Sequence, residues 1–256
     1  ASVPHYRETM DRLGLRPADF QSADDLAQLP LLRGELLSTE PARLMSTRWP
    51  ASQLFTTCSS GTSGGRKTIA YDRRYLFRVL ACGERQRDVV AKLIGRRRGV
   101  REMMAMGSDD LTTELRCFYE TNAWVPAAID TCRRRIECTT PLGPNIAELN
   151  AFRPHVLAGL GSYIGAMYRY AWENGVDIWR PDLIWYGADH LPDDDRALLE
   201  GQFGVPVFST YQASEVLRLA YQCEQRAGFH IHLDEVAVRV VNAAGQPVAP
   251  GEAGHM

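Results

Sequence analysis

The hydrophobic pattern is most regular after residue 152, where strand-like apolar runs alternate with segments of helical periodicity. Short connections rich in glycine and proline separate these segments. Such alternation is typical of βαβ units around a parallel sheet, so the sequence predicts an α/β fold. The predicted strands are 154–159, 181–186 and 205–208, and the predicted helices are 162–174 and 192–203.

The first half of the chain contains two further helical patterns and one buried strand. Apolar residues at helical spacing predict a helix over 4–13, with Gly14 as a natural stop. A second helix is predicted over 72–94, with a mixed apolar and basic face. Residues 101–107 are short, apolar and ended by glycine, which is the character of a buried strand.

The last part of the chain has a different pattern. Residues 229–241 alternate strongly between polar and apolar, and a turn follows at 242–247. This pattern predicts antiparallel β-structure. We therefore expect an α/β core over 1–220 and the truncated start of an antiparallel β subdomain over 221–256.

Composition and charge exclude several classes of function. Hydrophobic residues make up 45% of the 256-residue chain and charged residues 23%, as in an ordinary globular protein of one or two domains. The formal net charge of -2 supplies no overall field to recruit nucleic acid or an anionic membrane. No apolar run approaches the ~20 residues of a membrane-spanning helix. We expect neither nucleic acid nor membrane as a partner.

Cysteine usage points to a reducing compartment. The six cysteines are scattered without any C-x-x-C pair, and no secretory signal opens the sequence at Ala1. Because thiols stay reduced in the cytoplasm, the sequence predicts a cytoplasmic location.

Residues 59–67, reading SSGTSGGRK, form a loop dense in hydroxyls and glycines that ends in two cations. Glycines let consecutive backbone N–H groups turn toward one anion, hydroxyls add donors, and a cation neutralises the charge. Strand-like apolar residues flank the loop on both sides, which favours phosphate binding over a flexible linker. Arg66 stands where a Walker-type P-loop requires glycine, so an NTPase of that type is disfavoured.

Two polar segments follow predicted strands, which is where ligands bind in parallel sheets. These segments are 187–190 (GADH) and 210–215 (TYQASE). The basic clusters 96–98 and 133–135 contain three arginines each. Such runs are usually solvated, and the alternative is contact with the phosphates of a nucleotide-bearing acceptor.

Together these segments resemble the signatures of the adenylate-forming (ANL) superfamily, and most of all its phenylacetate–CoA ligase-like branch. The loop 59–64 resembles S-S-G-T-T-G-K-P with the basic residue displaced to Arg66 or Lys67, 187–190 resembles the G-A-E-P turn, 211–215 resembles Y-G-x-T/S-E, and the runs 223–232 and 245–252 are similar to that branch. The resemblance covers almost the whole chain. It implies the large N-terminal α/β domain, with βαβ layers and the beginning of a β-barrel subdomain, and without the small C-terminal domain.

The implied activity is that of an acid–thiol ligase. A carboxylate attacks the α-phosphorus of ATP to give an acyl-adenylate and pyrophosphate, and the acyl group then passes to the thiol of CoA or of carrier-protein phosphopantetheine. ATP and Mg²⁺ are the implied cofactors. Gln212 replaces the family's glycine, so we expect an aromatic or heteroaromatic acid with a hydrogen-bonding substituent, from secondary metabolism. The alternative is a non-catalytic module that binds a nucleotide or acyl-adenylate. A homodimer is a further expectation.

The resemblance also implies a role for each matching residue. Glu215 would hold Mg²⁺, and the implied catalytic residues are Glu215, Lys67 and Thr62. The implied nucleotide-binding residues are Ser60, Gly61, Thr62, Ser63, Gly64 and Lys67 at the phosphates, Gly187, Ala188 and Asp189 along the adenine, and Tyr211, Gln212 and Ser214 after the next strand. The implied acyl-pocket residues are Gly161, Ser162, Tyr163 and Tyr211.

Three of these residues also have structural interpretations. Glu215 could cap or salt-bridge a helix, and Asp189 could be the N-cap of the predicted helix 192–203. Tyr163 could be a core aromatic.

A zinc site is one further hypothesis. His230 and His232 are two residues apart on a predicted strand, which would direct both to the same face, and Cys223 lies a little upstream. In relatives, a later Cys-x-Cys could complete such a set. Three ligands without a fourth are weak evidence for zinc.

Overall fold

The first hundred residues form helical turns, a β-hairpin and one long helix. The elements are α1 (Pro4–Leu13), α2 (Glu35–Thr39), α3 (Pro41–Leu44), β1 (Leu54–Cys58), β2 (Thr68–Asp72) and α4 (Arg73–Leu93), with 3₁₀ turns at Pro17–Asp19, Asp24–Gln28 and Ala51–Gln53. Gly14 ends α1 in the left-handed conformation, with φ 68°. The Asp72 side chain accepts a hydrogen bond from the Tyr75 backbone N–H at 3.0 Å and so caps α4. Both predicted helices are confirmed.

The remaining elements build a sheet in this computed structural model, which describes residues 2–59, 67–108, 111–124 and 132–255. They are β3 (Arg101–Met106), α5 (Leu111–Asn122), β4 (Cys132–Glu137), α6 (Leu142–Phe152), β5 (Val156–Leu160), α7 (Gly161–Asn174), β6 (Leu183–Gly187), α8 (Asp193–Gly201), β7 (Val207–Tyr211), β8 (Ala220–Tyr221) and β9 (His230–Ile231). Within the described residues the sheet order is β4-β3-β5-β6-β7-β8-β9. Strands β3 to β7 are parallel, and β8 and β9 are antiparallel additions. The predicted βαβ architecture is confirmed.

The sheet is buried on both faces because successive strand residues point in opposite directions. One face packs against α6, α7 and α8, with Leu157 and Ile184 in the middle of that core. The opposite face packs against α4, where Leu183, Trp185 and Phe208 meet Val89. The carboxyl ends of the parallel strands therefore form one open edge between two helical layers.

The hairpin β1–β2 has a smaller core of its own. Ile69, Tyr71, Leu76 and Val79 pack together with Leu217, which arrives from the segment after β7. This cluster fixes the hairpin beside the carboxyl end of β7.

The predicted antiparallel strand over 229–241 is wrong for most of its length. Strand β9 covers only His230–Ile231, and the chain then turns so that Glu235 and Val236 donate backbone hydrogen bonds to His232 O. The segment contacts α4 instead: Arg85 of α4 binds Asp234 with two hydrogen bonds of 2.8 and 2.7 Å, and Arg78 binds Glu235 at 2.8 Å. Residues 232–235 therefore lie against α4 and do not extend the strand.

Only isolated bridges continue the antiparallel pattern further on. Val241 pairs with Pro247 and with His255, around the predicted turn at 242–247. Because β8 and β9 join the same sheet as β7, the division at residue 220 stays a prediction. Among the described helices, none combines the length and the apolar character needed to cross a membrane.

Candidate functional site

The glycine-rich loop joins β1 to β2, at the tip of the hairpin. Its predicted phosphate-binding residues Ser60, Gly61, Thr62, Ser63 and Gly64 lie outside the described residues, as does Arg66. The base of the loop is closed by Ser59 and Lys67: the Ser59 backbone N–H donates to Lys67 O at 2.9 Å, and the Lys67 N–H donates to Ser59 Oγ at 3.1 Å. The predicted strands on both sides of the loop are confirmed.

Lys67 and Glu215 meet although 148 residues separate them in the sequence. Lys67 Nζ donates a hydrogen bond to Glu215 Oε1 at 3.1 Å. The pair is accessible, with side-chain exposures of 29% for Lys67 and 42% for Glu215. The structure thus brings together the cation predicted to bind phosphate and the carboxylate predicted to bind Mg²⁺.

The Lys67 side chain lies against Gly34, a residue that the sequence pattern did not single out. A Cβ atom at Gly34 would be 3.2 Å from Lys67 Cε and 3.3 Å from Nζ. A larger residue there would push Lys67 aside, so Gly34 leaves room for the observed lysine position.

Glu215 is held by the loop 212–219, which connects β7 to β8. The loop is closed at its base because Leu219 N donates to Tyr211 O at 3.0 Å. It is fixed to α4 by the Tyr75 hydroxyl, which donates to Val216 O at 3.0 Å. Leu217 is buried in the hairpin cluster, with an unusual φ of 58°. These contacts hold the segment that brings Glu215 to Lys67.

Tyr71 lies behind this pair, in strand β2. Burial raises the pKa of its phenol well above the ordinary value, and the neighbouring Tyr75 and Glu215 raise it further. Its buried hydroxyl has no hydrogen-bond partner among the residues that the structure describes. Tyr71 therefore stays protonated and does not act as a base.

The turn after β6 uses its polar groups within the fold. Asp189 caps the N-terminus of α7, where Gly161 N donates to Oδ1 at 2.6 Å and Ser162 N donates to Oδ2 at 3.2 Å. The Ser162 hydroxyl also donates to Oδ2. Helix N-termini have unpaired N–H donors and a positive partial charge, which a carboxylate satisfies. Asp189 was expected at the adenine or as the cap of the helix 192–203; the helix that it caps is α7, and α8 has Pro192 at its N-cap without a side-chain hydrogen bond.

Small residues at the strand ends are explained by close packing. A Cβ atom at Gly187 would lie 2.5 Å from Thr210 Oγ1 in the neighbouring strand, and one at Gly161 would lie 2.7 Å from the Tyr186 ring. Ala188 takes a left-handed φ of 68°, which turns the chain toward Asp189. The small-residue motif thus shapes the scaffold between β6 and β7.

Tyr163 has the contacts of a core residue. Its hydroxyl accepts a hydrogen bond from Asn145 Nδ2 at 2.5 Å and donates to Thr140 O at 3.3 Å. Burial raises the pKa of this phenol. Both hydrogen-bonding functions of the hydroxyl are occupied by the protein, so the contacts agree with the core interpretation rather than with a polar contact to an acyl group.

The residues after β7 remain accessible. Tyr211 is 46% exposed and its ring centroid lies 6.4 Å from that of Phe229. Gln212 is also exposed, and Ser214 is half-buried. Aromatic and amide groups in the same segment as Glu215 can stack on and hydrogen-bond to a bound molecule.

The structure does not support the zinc hypothesis, because it does not group Cys223, His230 and His232 as potential ligands. His232 is buried, and its Nδ1 lies 3.0 Å from an Arg85 nitrogen, whereas His230 is exposed. Burial lowers the pKa of His232, as do the charges of Arg85 and Arg218. Both histidines pack on the Tyr221 ring, with centroid distances of 5.6 Å for His230 and 5.2 Å for His232.

One other group of potential metal ligands occurs among the described residues, and it does not fit a metal either. It consists of Cys82, Asp234 and Glu235. Arg85 and Arg78 already bind the two carboxylates. Burial raises the pKa of the Cys82 thiol, which opposes the thiolate that a metal requires.

All six arginines of the basic clusters are exposed, and four of them form ion pairs. Arg133, Arg134 and Arg135 lie on the edge strand β4 and pair with Glu102 at 3.5 Å, Glu148 at 2.6 Å and Glu137 at 3.4 Å, respectively. Arg97 pairs with Asp88 at 3.0 Å. These pairs support the solvated interpretation.

Comparison with known proteins places this geometry in context. No family model matches the chain. Phenylacetate-coenzyme A ligase of Aromatoleum evansii is 25% identical over 229 residues, which are 84% of this chain and 47% of that protein. The chain therefore spans about half the length of the curated relative that it matches.

Solved structures share the fold at lower sequence identity. A 2-hydroxyisobutyryl-CoA ligase, solved in complex with 2-HIB-AMP and CoA, superposes with a TM-score of 0.74 and 16% identity over 99% of this chain and 60% of that one. The O-succinylbenzoate coenzyme A synthetase of Bacillus subtilis, solved with AMP, gives a TM-score of 0.51 and 13% identity over 78% of this chain and 39% of that one. The resemblance inferred from the motifs is confirmed.

Proposed function

We propose that this chain contains the ATP-binding part of an acid–CoA ligase. It has the fold of the adenylate-forming (ANL) superfamily, and a phenylacetate–CoA ligase is a sequence relative. In the first step a carboxylate oxygen bonds to the α-phosphorus of ATP, the bond from that phosphorus to the β-phosphate bridging oxygen breaks, and pyrophosphate leaves. In the second step the CoA thiol displaces AMP and gives the thioester. The names of the relatives described above, and the AMP and CoA groups bound to two of them, support an acid, a nucleotide and CoA as the reactants.

The observation that carries this proposal is the contact between Lys67 and Glu215. An exposed pair of this kind contributes only ~0–1 kcal/mol to folding, so separating it costs little. A bound triphosphate can take Lys67 as its counter-charge, and Glu215 then becomes available to a divalent cation. The two side chains thus lie near each other, and each can exchange this contact for one with a ligand.

Glu215 fits Mg²⁺ by its chemistry. Mg²⁺ binds proteins through one or two carboxylates together with phosphate and water oxygens. Glu215 Oε2 has no hydrogen-bond partner among the described residues, and the side chain is accessible. When bound, the ion would neutralise negative charge on the phosphates.

The remaining groups position the reactants. Lys67 is next to the glycine-rich loop and neutralises phosphate charge without proton transfer. Tyr211 offers an exposed ring for stacking on a base or an acyl group, and Gln212 offers an amide for a polar substituent. Positioning and charge neutralisation supply most of the catalysis in reactions at phosphorus. The aromatic acid, the cytoplasmic location, a carrier-protein acceptor and a homodimer stay predictions from the sequence.

Calorimetry with a non-hydrolysable acyl-adenylate mimic, an acyl-sulfamoyl adenosine, tests the proposal. We expect the chain to bind the mimic, and Mg²⁺-ATP to compete with it. Lys67→Met should weaken the binding of Mg²⁺-ATP by ~10-fold or more, because a charge-assisted contact to phosphate is lost. Lys92→Met is the matched control, since Lys92 also faces a glutamate, Glu224, at 3.9 Å.

The outcomes separate an enzyme from a binding module. If neither the mimic nor Mg²⁺-ATP binds, or if Lys92→Met has the same effect as Lys67→Met, the proposed site is wrong. If both bind but no acid gives pyrophosphate release in the full ligase, the chain is a non-catalytic adenylate-binding module.

A further inference from the structure

Arg218 lies on the inner side of the loop that presents Glu215. The backbone turns sharply before it: Leu217 has a φ of 58°, and Arg218 N donates to Val216 O at 2.7 Å. Strained turns of this kind persist where the surrounding structure fixes them, and they are common at functional sites. The turn sends the Glu215 side chain outward and the Arg218 side chain into the space beside α4.

The Arg218 guanidinium is packed against the α4 backbone at Gly83. A Cβ atom at Gly83 would lie 3.1 Å from Arg218 Cζ, so glycine makes room for the charged group. Nη1 donates to Gln86 Oε1 at 2.7 Å. Among the described residues this is the one hydrogen bond of the guanidinium, although the group carries five N–H donors.

In the part of the chain that the structure describes, no carboxylate forms an ion pair with Arg218. The two other arginines on this side of α4 differ, because Arg85 binds Asp234 and Arg78 binds Glu235. Burial lowers the pKa of Arg218 from its ordinary value. Tyr119, Glu102 and Glu84 act on that pKa in the opposite direction without forming an ion pair, so this half-buried cation gains from an anion that pairs with it directly.

The position suits the distal end of a substrate. The loop meets α4 at Tyr75, next to Glu215, and it reaches Gly83 eight residues later, which is ~12 Å along the helix axis. A small acid activated beside Lys67 and Glu215 could therefore extend toward Arg218. A guanidinium binds a carboxylate through two parallel hydrogen bonds, which selects for a planar anion.

We infer that Arg218 is a specificity-determining residue that binds a second anionic group on the acid substrate, so that the substrate class is a dicarboxylic acid rather than a monoacid. The inference rests on the proposed function, since Arg218 would bind the part of the acid that is farthest from the activated carboxylate. It sharpens the expectation of a polar substituent by giving that substituent a negative charge.

Binding of two free acids tests the inference without ATP or turnover. The probes are 4-carboxyphenylacetate and its uncharged counterpart 4-methylphenylacetate, each titrated into the chain by calorimetry. We expect the dicarboxylate to bind at least ~10-fold more tightly, as charge-assisted bidentate pairs do. Arg218→Met should abolish the difference, and Arg218→Lys should retain part of it. Arg226→Met, which removes an arginine paired with Glu200 at 2.5 Å, should leave it unchanged.

The contrary results are equally definite. Equal binding of the two acids, binding of neither, or a preference that survives in a folded Arg218→Met variant would each overturn the inference. Circular dichroism establishes that the variant is folded, and Arg218→Gln replaces Arg218→Met if the latter is not. A chain that binds the acyl-adenylate mimic without any preference for the dicarboxylate keeps the proposed function and loses this inference. If the chain prefers the dicarboxylate but does not bind the mimic, the proposed function is wrong and Arg218 still binds an anion.

Discussion

The carboxyl ends of β6 and β7 are neighbours in the sheet, but the segments that follow them have different tasks. After β6, Asp189 gives both carboxylate oxygens to the N-terminus of α7. After β7, Glu215 is exposed and touches a lysine from a distant hairpin. The comparison teaches that a polar residue at a strand end indicates a ligand only when the protein itself leaves its hydrogen bonds unsatisfied.

We expect the largest effect on stability from replacement of Gly187, at the carboxyl end of β6. In Gly187→Ala the new Cβ would meet Thr210 Oγ1 at 2.5 Å. Overpacking of this kind costs ~1–3 kcal/mol, and we expect the free energy of unfolding in urea to fall by that amount. Thr210→Ala should restore part of the loss in the double variant. Unchanged stability of Gly187→Ala would show that β6 and β7 are not in close contact there.

Removal of the Asp189 carboxylate should have the next largest effect. Asp189→Ala leaves two N–H groups of α7 and the Ser162 hydroxyl without their acceptor, and loss of a cap costs ~1–2 kcal/mol. Asp189→Asn should be milder. The control is Asp194→Ala, an exposed acidic residue in the first turn of α8. If Asp189→Ala weakens nucleotide binding strongly and stability hardly at all, the assignment of the β6 end to the scaffold is wrong.

His232, which lies next to the loop between β7 and β8, should make the free energy of unfolding depend on pH. His232 N donates to Leu219 O at 3.0 Å, and the pKa of the His232 ring is lowered by burial and by Arg85. Below the unfolded pKa of about 6.5, the unfolded chain binds a proton that the folded chain resists, so stability falls as pH decreases from there toward the lowered pKa.

His155 contributes in the same direction. Its pKa is lowered by burial, and its Nδ1 accepts a hydrogen bond from Arg101 N at 2.9 Å. Urea titrations at a series of pH values below 6.5 should show a shallower slope for His232→Gln and for His155→Gln than for wild type. Slopes identical to wild type in both variants would contradict the burial of these rings.

We expect the smallest effect on folding at the Lys67–Glu215 pair, after β7. A double-mutant cycle of Lys67→Met and Glu215→Gln should give a coupling energy of ~0–1 kcal/mol in the absence of ligand, because the pair is solvent-exposed. A coupling of several kcal/mol would make the pair a structural ion pair like those of the scaffold, and the contrast between the two strand ends would disappear.

Much of the fold follows from local sequence patterns. The parallel strands and the helices α4 and α7 were predictable because apolar periodicity and glycine stops agree with the final packing. Residues 232–235 were mispredicted as strand, and they lie against α4, where Arg78 and Arg85, some 150 residues earlier, bind Glu235 and Asp234. Contacts so distant in the sequence give no short-range signal.

The site divides in the same way. The motifs identified Lys67 and Glu215, but spacing could not show that Asp189 would turn back to α7 or that His230 and His232 would stack on Tyr221. Sequence analysis missed Arg218, because only the structure shows that no carboxylate among the described residues forms an ion pair with it. Its only sequence signal is its place three residues after Glu215.

In the proposed function Glu215 binds the Mg²⁺ of a bound nucleotide. This role is tested most directly by titrating Mg²⁺ into the chain with saturating ATP, for wild type, Glu215→Gln and the control Glu224→Gln. We expect the Mg²⁺ concentration at half-saturation to rise by ~10-fold or more in Glu215→Gln, since a neutral amide is a poor ligand for a hard cation, and to stay at the wild-type value in Glu224→Gln. Equal Mg²⁺ requirements in all three proteins would contradict the claim.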